Sequence, residues 1–306
     1  MKFSVKQIDP QTLQTDTNMF QSAFWASVKE RLGNKALGFR FESKLSSGTL
    51  LLLVSKMPNG YYSAYVPRGP RARLTEENQG PFLERLSREV SQLLPENCLF
   101  IRYDLPWESP YTDISHFDQR GRWKGRPATR IREMRMNFGT DEWNLKKASE
   151  DINPPDTILI DLQSEEGALL AKMRQNTRNC IRQAWRRGLS VREAPSEKLP
   201  EFYELYLRTA RRKGIPRHDF KHFDVLFSTA RSFDNGLADT KLFFAEAGGE
   251  ITGAVILVMY RLKAYYFYAA SLKQKQYTRP SYALLWQAIQ TAKDNGCKYF
   301  DLYGIP

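Results

Sequence analysis

The chain has 306 residues, of which 42% are hydrophobic and 26% charged, and its formal net charge is +12 at pH 7. This composition excludes a disordered chain, and the length favours two domains over one. Three widely spaced cysteines argue against a disulfide framework or a zinc site, while the excess of positive charge favours polyanionic partners such as nucleic acid, sugar diphosphates or an anionic membrane surface.

The first half of the sequence alternates helical and strand patterns. Its first ten residues mix charged and apolar groups without a signal-peptide core, so we predict a cytoplasmic protein. The patterns predict a helix near 22–32, strands near 38–42, 49–57 and 61–66, a helix over 76–94 and a strand over 98–105. A basic stretch over 118–144 breaks the pattern, and Asn153, Pro154 and Pro155 lead into the next strand. We therefore place two domains, over residues 1–150 and 151–306.

The second half repeats the plan of the first. We predict a strand over 157–162, a helix over 165–187, helices over 199–213 and 220–231, and strands over 241–247 and 250–260 joined by Gly248 and Gly249. A β-α-β unit closes the chain, with a strand over 265–271, a helix over 282–295 and a strand over 299–303. Chemistry in such open sheets tends to lie at strand ends. The similar element order indicates a duplicated α/β domain.

The predicted helix over 165–187 has a strongly basic side. Its arginines recur every four residues, at Arg174, Arg178, Arg182 and Arg186. A second side carries apolar residues that can face a core: Met173, Ile181, Ala184 and Trp185. Like charges at this spacing oppose helix formation slightly, so a phosphate-bearing partner would explain them. A solvated basic face explains them equally well.

Two further positions could carry chemistry. Lys29 follows Trp25 by one helical turn, so an ammonium and an aromatic face could point into one cleft, although most surface lysines are simply solvated. Asp104 ends an apolar strand, where an acid can transfer a proton or orient an amine. The commoner role of such an aspartate is to form a turn.

Other motifs point away from familiar chemistries. The three histidines form no catalytic triad and no convincing metal set, so we predict no metal and no cofactor. Coenzyme A enzymes of the GNAT type need a glycine-rich turn at a helix start. The nearest match, residues 211–216, follows a helix and ends in Pro216, which has no amide hydrogen. Coenzyme A is therefore not the expected donor.

Taken together, the segments resemble the Fem (FemABX) family of peptidoglycan branching enzymes, which transfer amino acids from aminoacyl-tRNA to a cell-wall precursor. The resemblance rests on the order and spacing of pieces that span nearly the whole chain: 21–25 with Lys29, the strand end at Asp104, 154–162, 173–188, 212–215, 266–271 and 296–305. It implies a mixed α/β fold of two tandem GNAT-like domains. The first domain would bind the precursor and the second the aminoacyl-tRNA.

The resemblance also implies roles for single residues. Lys29, beside Trp25, would hold the diphosphate of the precursor's carrier, with Arg212 as its partner. Asp104 would face the acceptor amine. Tyr266 or Tyr268, placed on one side of their strand by the two-residue period, would line the substrate site. The four arginines of the basic helix would contact tRNA.

The implied activity is aminoacyl transfer to the stem peptide of a UDP-linked or lipid-linked muropeptide, with a peripheral contact to the inner membrane surface among the expected partners. Family members usually continue beyond Gly304 and Ile305 into a segment with a Phe-Lys pair that contributes to the reacting centre. The chain given ends before it, which implies reduced activity or a substitute group. Two alternatives stay open: a non-catalytic RNA- or membrane-surface-binding module of the same fold, and an acyl-CoA N-acyltransferase.

Overall fold

The computed structural model describes residues 3–15, 17–233, 236–272 and 279–304, so Ile305, the last residue of the resemblance, lies outside the described part. The chain divides into two compact units. The first unit comprises Met1–Thr15 and Phe20–Asn153, and the second comprises Asp16–Met19 and Pro154–Pro306. The short N-terminal segment of the second unit is held by Tyr265, whose hydroxyl donates to the Thr17 carbonyl at 2.8 Å and accepts from the Met19 amide at 3.3 Å.

The first unit is built on a five-stranded sheet. Its elements are β1 (Ser4–Ile8), α1 (Ala23–Arg31), β2 (Lys35–Glu42), β3 (Ser47–Lys56), β4 (Tyr62–Val66), α2 (Glu76–Ser91), β5 (Cys98–Tyr103) and α3 (Thr129–Asn137). The strands follow the order β1-β2-β3-β4-β5. All neighbours are antiparallel except β4 and β5, which are parallel and connected through α2. The predicted elements of this half are confirmed, with shifts of a few residues at their ends.

Helices cover both faces of this sheet. On one face Phe82 and Leu86 of α2 pack with Phe39 and Leu50 in a continuous buried cluster. On the other face α1 packs against β2 and β3 and buries Val28 completely. Burying each such side chain stabilises the fold by about 1.5–3 kcal/mol, so α1 is held firmly enough to position the side chains it carries.

The basic stretch over 118–144 contains a helix that the sequence pattern missed. Helix α3 lies against α2 so closely that a Cβ atom on Gly80 would stand 1.7 Å from the Met136 carbonyl oxygen. Arg135 of α3 forms an ion pair with Glu76 of α2. The apolar side chains Ile131 and Met134 are about half exposed, at 54% and 51%. Without a buried apolar stripe the 3.6-residue period is absent, which is why the pattern gave no helix.

The second unit is built on a six-stranded sheet. Its elements are β6 (Leu159–Asp161), α4 (Glu166–Lys172), α5 (Gln175–Arg186), β7 (Ser190–Ala194), α6 (Leu199–Lys213), α7 (Phe220–Ser232), β8 (Ala238–Ala247), β9 (Glu250–Tyr260), β10 (Lys263–Ser271), α8 (Pro280–Asp294) and β11 (Tyr299–Asp301). The strand order is β6-β11-β10-β9-β8-β7. Strands β10 and β11 are parallel and joined through α8, which confirms the predicted β-α-β unit. The predicted hairpin at Gly248 and Gly249 is also confirmed, since both residues have positive φ.

The two faces of this sheet carry different helices. Ile181 of α5 and Leu284 of α8 pack with Leu257 of β9 on one face. Helices α6 and α7 cover the other face, where Tyr206 and Phe223 contact the ring of Tyr268. The prediction that Trp185 faces the core is wrong, because Trp185 is 39% exposed.

The predicted continuous helix over 165–187 is also wrong. It is broken between α4 and α5, where Met173 and Arg174 have extended backbone with ψ of 151° and 144°. The Arg178 guanidinium donates to the carbonyl oxygens of Ala171 at 3.1 Å and Met173 at 2.6 Å. These bonds satisfy carbonyl groups that the end of α4 leaves without partners and so stabilise the break.

Candidate functional site

The first part of the candidate site lies on α1. The Ser22 side chain caps this helix by accepting from the Trp25 amide at 3.3 Å, which fixes where the helix begins. One turn later the Lys29 Nζ lies 4.8 Å from the centre of the Trp25 ring. Burial lowers the pKa of the Lys29 ammonium, and no carboxylate of the described chain lies within ion-pair distance of it. Since a partly buried cation without a counter-charge is costly, this position favours an incoming anion.

A second cation shares the same aromatic surface. Phe20 meets Trp25 edge to face with 5.1 Å between ring centres, and the Arg68 guanidinium lies 5.3 Å from the centre of the Phe20 ring. Arg68 is in the left-handed region with φ of 43°, in the turn after β4. A non-glycine residue with such a φ is uncommon, and strain of this kind is often found at functional sites. The sequence pattern did not single out Arg68, although this residue begins an Arg-Gly-Pro sequence just after a predicted strand.

Gln21 fixes this turn. Its side-chain Nε2 donates to the Pro67 carbonyl at 2.7 Å and the Leu51 carbonyl at 3.2 Å, and its Oε1 accepts from the Leu51 amide at 2.8 Å. Gln21 is only 3% exposed. A Cβ on Gly69 would come within 2.8 Å of the Gln21 amide, so glycine is needed there. The Gln21 side chain therefore supplies, where β4 separates from β3, the hydrogen bonds that a neighbouring strand would otherwise make.

Asp104 lies against the same turn. Its backbone amide donates to the Val66 carbonyl at 3.0 Å, and its carbonyl accepts from the Gly69 amide at 2.9 Å. Its carboxylate Oδ2 accepts from Asn153 Nδ2 at 2.6 Å and from the Tyr65 hydroxyl at 3.4 Å. The carboxylate thus bonds to side chains instead of capping a turn, and among the described residues none bonds to Oδ1.

In the second unit the structure corrects the expectation for the two tyrosines. Tyr266 pairs with Leu257 and Tyr268 pairs with Ile256, with Phe267 as the extra residue of a β-bulge. Consecutive residues of β9 point to opposite faces, so Tyr266 and Tyr268 do as well. Tyr266 packs into the α5–α8 core and Tyr268 lies on the face of α6 and α7. The prediction that they share one side is wrong.

Tyr268 and Arg212 lie at the same end of β10. The Tyr268 hydroxyl is 2.8 Å from His222 Nε2, and Arg212 Nη1 donates to the Ser271 carbonyl at 2.8 Å. Burial raises the pKa of Tyr268 well above its ordinary value, as do its neighbours Tyr303 and Tyr206, so the phenol stays neutral. His222 fits neither a metal site nor a triad, so the sequence pattern gave it no role.

The basic side predicted for residues 174–186 is only partly formed. Arg174 is outside the helix and Arg178 is engaged at the end of α4, so the regular row of four is wrong. Arg182 and Arg186 are exposed on α5. Because α5 covers the sheet face opposite α6 and α7, these two arginines lie on the other face from Tyr268.

Within the described ranges, no group of three His, Cys, Asp or Glu side chains is arranged to hold a metal ion. Of the helices that the structure describes, none is long and apolar enough to cross a membrane.

Comparison with known proteins places this architecture in a family. The FemAB family model matches residues 11–229, which include Lys29, Asp104 and Arg212. The chain belongs to the FemAB family. A curated relative from Weissella viridescens, UDP-N-acetylmuramoylpentapeptide-lysine N(6)-alanyltransferase, is 25% identical over 291 residues, covering 93% of this chain and 79% of the relative.

The FemAB fold is confirmed as two tandem GNAT-like domains. The acetyltransferase (GNAT) domain model matches residues 171–306. A solved structure of FemX matches with a TM-score of 0.67 at 16% identity, covering 99% of this chain and 89% of that chain. The resemblance drawn from the sequence to a FemX-like member of this family is therefore confirmed.

Proposed function

We propose that the protein is an aminoacyltransferase of cell-wall bridge synthesis. It moves an amino acid from aminoacyl-tRNA to an amine on the stem peptide of a UDP-linked or lipid-linked muropeptide, in the cytoplasm and in peripheral contact with the inner membrane surface. The observation that carries this proposal is the FemAB match over residues 11–229. The name of the Weissella viridescens relative, which specifies a UDP-linked pentapeptide lysine, supports the acceptor.

The environment of Lys29 supports a diphosphate site. A phosphate near its ammonium would supply the counter-charge that the described chain lacks and would raise the lowered pKa. Arg212 is the second cation of this proposal. One of its five N–H groups is bonded to the Ser271 carbonyl, which fixes the guanidinium and leaves other donors for phosphate oxygens.

Asp104 is the proposed partner of the acceptor amine. Asn153 and Tyr65 hold its Oδ2, so Oδ1 is the oxygen that would accept from the amine. The amine nitrogen attacks the ester carbon, the C–N bond forms, the ester C–O bond breaks, and the amine proton ends on the released tRNA hydroxyl. The ester is already activated, so holding the two groups together can supply about 7–11 kcal/mol of the barrier. Tyr268 rather than Tyr266 is the proposed lining residue, since Tyr266 packs into the α5–α8 core.

The proposal is tested by incubating the full chain with a pool of charged tRNAs and either a UDP-linked or a lipid-linked pentapeptide, then measuring product mass. The added mass identifies the amino acid, and the acceptor that gains it identifies the carrier. Asp104→Asn should lower transfer at least tenfold while RNA binding persists. Glu96→Gln, an exposed acid of the same unit, is the matched control. No added mass on either acceptor would refute the proposal. RNA binding by the wild type, together with no effect of Asp104→Asn on transfer, would favour a non-catalytic module.

An acyl-CoA N-acyltransferase is the second candidate, favoured by the GNAT model match over residues 171–306. The structure places residues 211–216 at the end of α6, where Gly214 caps the helix with φ of 65°. The turn is therefore not at a helix start, where a diphosphate would be bound. Calorimetric titration with coenzyme A separates the candidates, because saturable binding would support the acyl-CoA enzyme.

A further inference from the structure

The corner between α6 and α7, defined as residues 208–221, concentrates exposed positive charge. Its basic residues are Arg208, Arg211, Arg212, Lys213, Arg217 and Lys221, against a single acid, Asp219. All six basic residues are exposed, and within the part of the chain that the structure describes none of them forms an ion pair. Elsewhere in the second unit, Arg192 pairs with Glu246 at 2.6 Å and Lys241 with Glu193 at 3.0 Å. The corner is thus short of counter-charges where neighbouring surfaces have them.

Helix electrostatics explains only part of this cluster. Cations near the end of a helix are stabilised by the partial negative charge of its last carbonyl groups, which accounts for Arg211 and Lys213 in the last turn of α6. Arg217 lies beyond that helix. The loop returns onto α6, because the His218 amide donates to the Tyr206 hydroxyl at 3.1 Å and the Tyr203 hydroxyl donates to the His218 carbonyl at 3.3 Å.

A stacked pair of imidazoles lies in the middle of the corner. The rings of His218 and His222 are 4.1 Å apart and within 12° of parallel. His222 is 7% exposed, and its Nε2 lies 2.8 Å from the Tyr268 hydroxyl, which fixes the ring. His218 is exposed. The pair therefore presents a fixed, flat aromatic surface among cations.

A single nucleic acid strand is bound by two kinds of group: exposed cations that contact its phosphates and flat aromatic rings on which its bases stack. This corner has both. We propose that this corner binds the single-stranded 3′ end of the RNA donor, with a base stacked on His218 and phosphates held by Arg208, Arg211, Lys213 and Arg217. The inference rests on the proposed function for its partner. It moves the RNA contact from α5 to the opposite face of the sheet, the face that carries Tyr268.

The test measures fluorescence anisotropy of the full chain with an uncharged RNA hairpin that ends in four unpaired 3′ nucleotides. Arg211→Gln with Lys213→Gln should weaken binding about tenfold and reduce the slope of log K against log salt by about 1.4, since each single-strand phosphate contact contributes about 0.7. The matched control, Arg182→Gln with Arg186→Gln on α5, should leave both unchanged. A larger loss with the α5 pair than with the α6 pair would overturn the inference.

His218 gives an independent readout. His218→Ala should weaken binding of the overhang hairpin about tenfold with an unchanged salt slope, and His218→Phe should restore it because it keeps a flat ring. A blunt-ended hairpin should not respond to either change. Equal effects on both hairpins, or none on either, would refute the base-stacking role. Loss of binding to anionic vesicles in the α6 pair, with RNA binding intact, would assign the corner to a membrane surface instead.

The outcomes are separable from those of the proposed function, because this assay uses uncharged RNA and requires no transfer. Binding as expected without any product would leave the inference standing and refute the transferase. Product formation that neither the α6 pair nor His218→Ala impairs, at RNA concentrations below saturation, would refute the inference alone.

Discussion

Replacing Gln21 by Glu tests whether one buried amide holds the turn that carries Arg68 and Asp104. The change keeps the size of the side chain and its acceptor for the Leu51 amide. It removes the Nε2 donor that serves the carbonyl oxygens of Pro67 and Leu51. Each buried polar group left without a partner costs about 1–3 kcal/mol, so we expect Gln21→Glu to lower the free energy of unfolding by about 2–6 kcal/mol at pH 7.

The sign of the pH dependence makes the test sharper. Burial would raise the pKa of the new carboxyl above the value of about 4.3 that it has in the unfolded chain. The folded state would then bind more protons, so the penalty should shrink as pH falls towards that value, where the protonated carboxyl can donate again. The penalty is measured by urea unfolding of the variant and of the wild type, followed by circular dichroism at pH 7 and at pH 4.5. Gln7→Glu, at an exposed position of β1, is the control and should change the free energy of unfolding by no more than about 0.5 kcal/mol. A penalty no larger than the control's, or one that does not shrink at pH 4.5, would refute the reasoning.

Three further predictions concern stability and binding. Burial alone would raise the pKa of Asp301, but its ion pair with Lys263 at 2.6 Å and its hydrogen bonds keep the pKa below 3.8. Asp301→Asn should therefore lower the free energy of unfolding in urea by about 3–5 kcal/mol at pH 7, and by less as pH falls below 3.8. An equal loss at pH 7 and below pH 3.8 would contradict the ion pair. Gly80→Ala should push α3 from α2, because its Cβ would meet the Met136 carbonyl, and hydrogen exchange in α3 should accelerate; unchanged exchange would disprove the contact. Lys29→Met should not reduce stability at pH 7 yet should weaken UDP binding at least tenfold in calorimetry. Because the pKa of Lys29 is lowered on folding, its own contribution to stability should become more favourable as pH approaches 10.5, so the stability of wild type relative to this variant should rise over that range.

The sequence predicted elements best where one apolar face is buried. The closing β-α-β unit, the hairpin at Gly248 and Gly249 and helix α6 all lie where expected, because burial imposes a period that the residues display. The sequence-based prediction failed where tertiary contacts, instead of a buried apolar face, determine the local structure. The bulge at Phe267 inserts one residue into β10, and alternation along a single strand cannot reveal an insertion defined by its neighbour.

The candidate site shows the same limit. Trp25 and Lys29 are one turn apart, so sequence spacing alone could place them together. Gln21 bonds to residues 30 and 46 positions away, and the stacking of His218 on His222 depends on how a loop returns to α6. Such contacts have no local signature, because polar residues at these positions read as ordinary surface side chains until the fold buries them.

The placement of unpaired cations gives the two units a common physical property. Lys29 lies on the ring of Trp25 and the α6–α7 corner surrounds the ring of His218, and among the described residues neither set forms an ion pair with a carboxylate. An aromatic face stabilises a nearby cation without neutralising it. A phosphate that arrives there need not displace a carboxylate, so its attraction is not offset by a broken ion pair. It follows that a carboxylate introduced beside Lys29 should stabilise the free protein and weaken its hold on a diphosphate.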